Sequence, residues 1–273
     1  MKRKLAALIT CLMIFVSQVM TTSYAGVYDG YVRDRASLNA NNVSEKNYKI
    51  FSPDLSEDTE VIETKKSLAD EAARTYESVA IDEAHFPSEG FRNLVSENFD
   101  TDGDGTLSSD EIRGAKIVNS EGDYEIDSLK GIEYLANLKK LNVYSDTLSE
   151  VNITKNPELQ ILSLSGDGAI ASIDTSRNAK LRVFNVTNSS LESVDLTKNP
   201  EFRIFTVPLT SLRSVDLRNN PYLKRCEVPG THVKELDVTH NKRLQALNVE
   251  NTSVSKVDTS NNRDLYEFYF NST

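Results

Sequence analysis

The sequence predicts a mostly β solenoid of short stacked coils, closed at its leading end by a small helical module. Three observations predict it. The phrase at residues 138–158, LKKLNVYSDTLSEVNITKNPE, recurs with drift towards the C-terminus at intervals of 21 or 22 residues. A fixed period near 20 residues marks a stack of equivalent coils. Each coil carries two apolar phrases of the form L-x-x-L-x-V, for example Leu138-x-x-Leu141-x-Val143 and then Leu148-x-x-Val151-x-Ile153. Just ahead of the first coil, apolar residues fall at helical spacing and run into an acidic stretch containing two glycines.

The first element is a leader. MKRKLAALITCLMIFVSQVMTTSYA has a basic start, an apolar run from Leu5 to Val16, and small residues at Ser23 and Ala25. That is the anatomy of a secretory signal peptide over residues 1–25, too short for a membrane anchor. The chain is therefore expected to be secreted or at the cell surface, with no membrane insertion. Removing Lys2, Arg3 and Lys4 takes the formal charge from −10 to −13, that is −10 − 3. A chain this acidic is unsuited to nucleic acid or an anionic membrane. Cys11 leaves with the leader, so the mature chain keeps only Cys226 and can form no internal disulfide. Cys226 stands in an apolar column of the coils and reads as inert core filler.

Residues 26–79 show no repeat phase and are rich in Ser, Asn, Asp, Glu and Lys. Apolar side chains are sparse even in the helix-like stretch at 60–78, so the segment is expected to be a mobile spacer.

The next element, residues 80–125, reads as a single helix–loop–helix cap. Phe91, Leu94, Val95 and Phe99 follow helical spacing behind Pro87-Ser88, a suitable helix start. The helix runs into DTDGDGTLSSDE at residues 100–111, which matches the EF-hand calcium loop. Asp100, Asp102 and Asp104 supply carboxylates at loop positions 1, 3 and 5, and Gly105 allows the sharp turn at 6. Thr106 offers its backbone carbonyl at 7, Ser108 acts at 9, and Glu111 can give two oxygens at 12. A hard divalent cation takes about six to eight oxygens, and this spacing wraps them around one point. Calcium is thus the expected cofactor. A second hand is expected nearby but none follows, so the single one is expected to cover the open end of the stack.

Residues 126–273 form the solenoid, with Leu129, Ile132 and Leu135 as a degenerate first coil. Leu138, Leu159, Leu181, Phe202, Leu223, Leu244 and Leu265 open the later coils, and strand alternation turns the residues after them alternately inward and outward. The two apolar phrases predict two strand-like sides per coil. Asn156, Asn178, Asn199, Asn220, Asn241 and Asn262 form a column expected to close the turns. Asn152, Asp174, Asp195, Asp216, Asp237 and Asp258 form an outward, mostly acidic row, expected to be solvated.

The coil L-x-x-L-x-V-x-x-x-x-L-x-x-V-D-L-T-x-N-P resembles the nested 21-residue leucine-rich repeats of bacteria, the IRREKO class. FPSEGFRNLVSENFDTDGDGTLSSDEI followed by LKGIEYLANLKKL is similar to the region joining an EF-hand to repeats in secreted proteins of clostridia-like Gram-positive bacteria. More distantly the chain resembles the internalins. One departure is visible. The slot after the first apolar phrase, usually asparagine in the internalin-type repeat, holds Asp146, Ser189, Thr210, Thr231 and Thr252. The resemblance implies a curved solenoid that binds other macromolecules.

Solenoids present extended concave surfaces to partners. On that face Ile161, Val183 and Ile204 are expected to form an exposed apolar patch flanked by Arg182 and Arg203, a composition that marks an interface. No nucleophile–base pair, zinc spacing or phosphate loop stands out. The reading is a secreted, calcium-binding, non-enzymatic protein that recognises an extracellular protein or glycan; a structural spacer of the cell envelope is the alternative. The aromatic last coil, with Tyr266, Phe268, Tyr269 and Phe270, suggests self-association.

Overall fold

The computed structural model describes residues 74–120, 124–166 and 168–270. The expected signal peptide and the spacer up to residue 73 lie outside the described residues.

Folded structure begins before residue 80. The Tyr76 amide donates to Ser109 Oγ at 2.9 Å and its hydroxyl to Asn137 Oδ1 at 2.7 Å. Strand β1 (Val79–Ala80) then pairs antiparallel with β2 (Thr106–Leu107). Residues 74–79 thus belong with the cap rather than the spacer. Between the two strands runs helix α1 (Glu89–Phe99), N-capped by Ser88, whose side chain accepts from the Phe91 amide. The four apolar residues at helical spacing, Phe91, Leu94, Val95 and Phe99, are all buried. Helix α2 (Ser109–Gly114) follows β2 and starts in a capping box between Ser108 and Glu111.

Helix α2 leads straight into the sheet. Strand β3 (Ile117–Asn119) lies within the stretch expected to be purely cap, yet it pairs in parallel with the first repeat strand. After a 3-10 turn at Ile132–Tyr134 come β4 (Lys140–Tyr144), β5 (Ile161–Ser165), β6 (Val183–Val186), β7 (Ile204–Thr206), β8 (Arg225–Glu227), β9 (Ala246–Asn248) and β10 (Glu267–Tyr269). The eight strands β3 to β10 form one parallel sheet in chain order. Register is strict: Leu141, Leu162, Phe184, Phe205, Cys226 and Leu247 are aligned across it and all are buried. Phe268 continues that column but is 42% exposed.

Two strand-like sides per coil are not what forms. Only the first apolar phrase of each coil becomes a strand; the second carries no ladder among the described residues. Its apolar side chains are nevertheless inward, with Leu148, Ile153, Leu191, Leu196, Leu212 and Leu217 buried in the common core. The physical reason lies in the backbone donors. The second side makes only occasional coil-to-coil bonds, such as the Arg213 amide to the Glu192 carbonyl at 3.1 Å. Its turns are closed by local backbone bonds, such as the Asn178 amide to the Thr175 carbonyl at 3.0 Å, and are tied to the preceding coil by side chains.

The asparagine column makes those ties. Every amide nitrogen from Asn156 to Asn262 donates to two backbone carbonyls of the preceding coil; Asn178, for example, reaches Ile153 at 3.0 Å and Asn156 at 2.8 Å. Each asparagine is buried, so the carbonyls it serves have no water to turn to. In the departing slot, the hydroxyls of Thr210, Thr231 and Thr252 donate to the carbonyl three residues back.

Candidate functional site

Helix α1 ends at Phe99 and delivers Asp100 to the start of the acidic loop, while α2 begins at Ser109 and carries Glu111 in its first turn. Gly103 and Gly105 take φ of 72° and 81°, left-handed backbone that a side chain resists. That bend brings carboxylate oxygens of Asp100, Asp102 and Asp104 within 4.8 Å of one another. Backbone donors aim at the same carboxylates: Gly103 and Gly105 donate to Asp100 at 2.8 and 3.1 Å, and Thr106 donates to Asp104 at 2.8 Å.

Glu111 is placed differently. Its carboxylate accepts from the amide and hydroxyl of Thr101 at 2.6 and 2.8 Å, and from the amide and hydroxyl of Ser108, both at 2.8 Å. These bonds, the Ser108 amide first among them, lower its pKa to about 2. The three aspartates are hard oxygen donors of the kind calcium takes, whereas both oxygens of Glu111 are engaged by Thr101 and Ser108. The capping box was missed in the sequence, where the S-x-x-E spacing of Ser108 and Glu111 was the signal that could have found it; the tie to Thr101 leaves no such signal.

On the outer face of the sheet, the register sets Lys140, Ile161, Val183, Ile204, Arg225 and Ala246 in one row. Beside it runs a second row of Asn142, Ser163, Asn185, Thr206, Glu227 and Asn248. The structure brings Ile161, Val183 and Ile204 together as an apolar cluster separate from the main core. It corrects their exposure. They are 3, 5 and 6% exposed, Arg182 is 1% exposed, and Arg203 is intermediate. The outward direction follows from strand alternation as expected, but the patch is covered rather than open. Further along, Arg225 is taken up by Glu227 and by Glu267, the latter at 3.3 Å.

The acidic row on the other side of the coils is exposed, and each carboxylate serves a local turn. Asp174, Asp195, Asp216, Asp237 and Asp258 accept from the amide two residues on, at 2.9 to 3.0 Å. The adjoining hydroxyl, or Arg218 at Asp216, and then those amide bonds hold all five below the usual carboxylate range. Cys226 is fully buried, and desolvation raises its thiol pKa out of the reactive range. Among the described residues no helix is long and apolar enough to cross a membrane.

Comparison with known proteins agrees on the fold. No family model matches the sequence, and no curated protein matches it. Among solved structures, the functional domain of InlJ from Listeria monocytogenes, which includes a cysteine ladder, is similar at 19% identity and a TM-score of 0.56. The match covers 73% of this chain and 48% of that one, so this chain spans about half the length of its neighbour. The internalin C2 of Listeria monocytogenes matches over 72% of this chain and 98% of its own, at 14% identity and a TM-score of 0.43. The chain is a parallel solenoid of the leucine-rich-repeat kind.

Proposed function

We propose that this chain is a secreted or surface-displayed leucine-rich-repeat protein that binds calcium in its cap. It recognises an extracellular protein or glycan through the outer face of its parallel sheet. The observation that carries the reading is the aliphatic row Ile161, Val183 and Ile204. These side chains form a cluster of their own, separate from the core that the coils build among themselves. An apolar row beside cations, on a face ruled at about 4.8 Å per strand, suits an extended partner. Calcium fixes the cap at the leading end, where Asp100, Asp102, Asp104, the Thr106 carbonyl, Ser108 and Glu111 hold it. The role is recognition, with no catalytic step.

The test is capture of matrix proteins and purified peptidoglycan by the immobilised chain, with and without EDTA. Asn185→Arg together with Thr206→Arg puts bulk on two partly exposed positions of the outer face. Capture is expected to be lost while the melting temperature holds. Undiminished capture by this variant overturns the front-face reading.

A further inference from the structure

Four successive coils leave their strands through left-handed backbone at one slot, repeated every 21 residues. Asn188, Leu209, Gly230 and Asn251 hold it, with φ of 50°, 56°, 68° and 54°. Stacking imposes this shape. The Asn188 amide donates to the Pro208 carbonyl at 3.0 Å, the Leu209 amide to the Pro229 carbonyl at 2.9 Å, and the Gly230 amide to the Glu250 carbonyl at 2.9 Å. Asparagine and glycine tolerate left-handed backbone, whereas leucine sets its Cβ against the following carbonyl. Leu209 is also the most exposed large apolar side chain among the described residues, at 64%. One edge of it lies over the next turn, where a Cβ built on Gly230 would meet its Cδ2 at 2.8 Å. Leucine therefore brings the fold strain with little burial in return. Strain held in place by the rest of a fold is characteristic of functional positions.

We propose that Leu209 anchors a protein partner, its side chain entering an apolar pocket on that partner's surface. The turn comes three residues after Thr206 of the outer face, just beyond the end of β7. The peptide groups on both sides of Leu209 are tied to neighbouring coils by the bonds just given, and Pro208 precedes it. Little conformational freedom is thus left to lose on docking. The chemistry selects the class of partner. Leu209, beside the half-buried Pro208 and Pro229, offers no side-chain donor or acceptor to a sugar hydroxyl. A polyol pressed against it would give up water and receive nothing back. The inference rests on the recognition reading and narrows its partner from protein or glycan to protein.

Panning a phage-displayed library of random disulfide-closed peptides against the immobilised full chain tests it. The comparison chain is Leu209→Asn, the residue that the same slot carries at 188 and 251. Peptides enriched on the native chain should be rich in aromatic and aliphatic residues. They should bind Leu209→Asn at least about tenfold more weakly. Without any peptide, the variant should melt about 2–4 °C higher, because the strain is relieved. Enrichment only of peptides that bind both chains alike, or no enrichment, overturns the anchor. A lower melting temperature for the variant also overturns it, since Leu209 then serves packing over Gly230. Peptidoglycan held less by Leu209→Asn than by the native chain assigns the contact to a glycan and likewise overturns it. Capture lost by Asn185→Arg with Thr206→Arg but untouched by Leu209→Asn sinks the anchor and leaves front-face recognition standing.

Discussion

The guanidinium of Arg74 lies 3.1 Å from Glu158 Oε1, joining residues 84 apart in the chain. Lys180 holds the other oxygen of the same carboxylate. Burial works against ionising Glu158, but the hydrogen bonds and charges of Lys180 and Arg74 outweigh it and hold the carboxyl below its usual range. This one acid ties the start of the cap to two successive coils. Glu158→Ala strands both cations, and Arg74 is itself 40% exposed, so the expected loss is modest, about 1–2 kcal/mol. Urea denaturation measures it, and proteolysis at residues 74–79 should quicken in parallel. A change below about 0.5 kcal/mol removes the clasp from the argument.

The asparagine ladder makes a larger demand. Asn199 donates to the Thr175 carbonyl at 3.2 Å and to the Asn178 carbonyl at 2.7 Å. Asn199→Ala removes one of the two donors from each of these buried carbonyls, which keep only the Asn178 and Leu181 amides, and takes the acceptor from the Thr175 hydroxyl, at a cost of about 1–3 kcal/mol. Asn199→Asp is expected to be at least as severe, because a carboxylate points lone pairs at carbonyl oxygens that need N–H groups. The urea midpoints of the two variants decide the matter. If Asp is tolerated better than Ala, the ladder does not work through donation.

The period of the coils was plain in the sequence because stacking requires the same apolar side chain at the same place in every turn. Leu141, Leu162, Phe184 and Phe205 could be aligned by eye, and the sheet aligns them in space. The structural role of Asn156 to Asn262 was legible for the same reason. What escaped was whatever depends on hydrogen-bond competition or on distant pairing. Both apolar phrases read as strands, yet the ladder asparagines tie each coil to the one before and only the first phrase pairs. Strand β3 went unseen because three residues are too few to show alternation. Alternation did tell which way Ile161, Val183 and Ile204 point, but exposure depends on what lies over a face, and no periodicity records that. The Arg74–Glu158 pair left no local pattern to find.

Gly90 offers a test where local propensity and packing disagree. It sits in α1, where alanine is ordinarily better by about 1 kcal/mol. A Cβ there meets the Glu125 carbonyl oxygen at 2.2 Å, a backbone atom that cannot swing aside. Gly90→Ala is therefore expected to destabilise by about 1–3 kcal/mol, the range for overpacking. Gly114, at the end of α2, has nothing within 4 Å of such a Cβ, so Gly114→Ala serves as the control and should be neutral or mildly stabilising. Thermal melts of both variants are sufficient. Equal behaviour of the two removes close packing of α1 against the chain at Glu125 as the reason for glycine at position 90.

The cap should respond to acid and to calcium through different residues. Glu111 has its pKa lowered from 4.5 to about 2 by the Ser108 and Thr101 donors. A folded value below the unfolded one means its contribution is whole above about pH 4.5 and lost as pH falls towards 2. Melting temperature should drop across that window in calcium-free buffer, and Glu111→Gln should flatten the drop. Calcium is expected to act through charge at Asp102 and Asp104. A Kd on the order of 10⁻⁴ M at about 2 mM calcium stabilises the folded chain by about 1.8 kcal/mol. Asp102→Asn with Asp104→Asn keeps the oxygens that accept from Asp104 and Thr106 while removing two charges. That double variant should match the native chain in EDTA to within about 0.5 kcal/mol and gain nothing from calcium. A native chain whose melting ignores calcium, or a double variant that still responds to it, refutes the metal assignment and leaves the loop as a hydrogen-bonded turn.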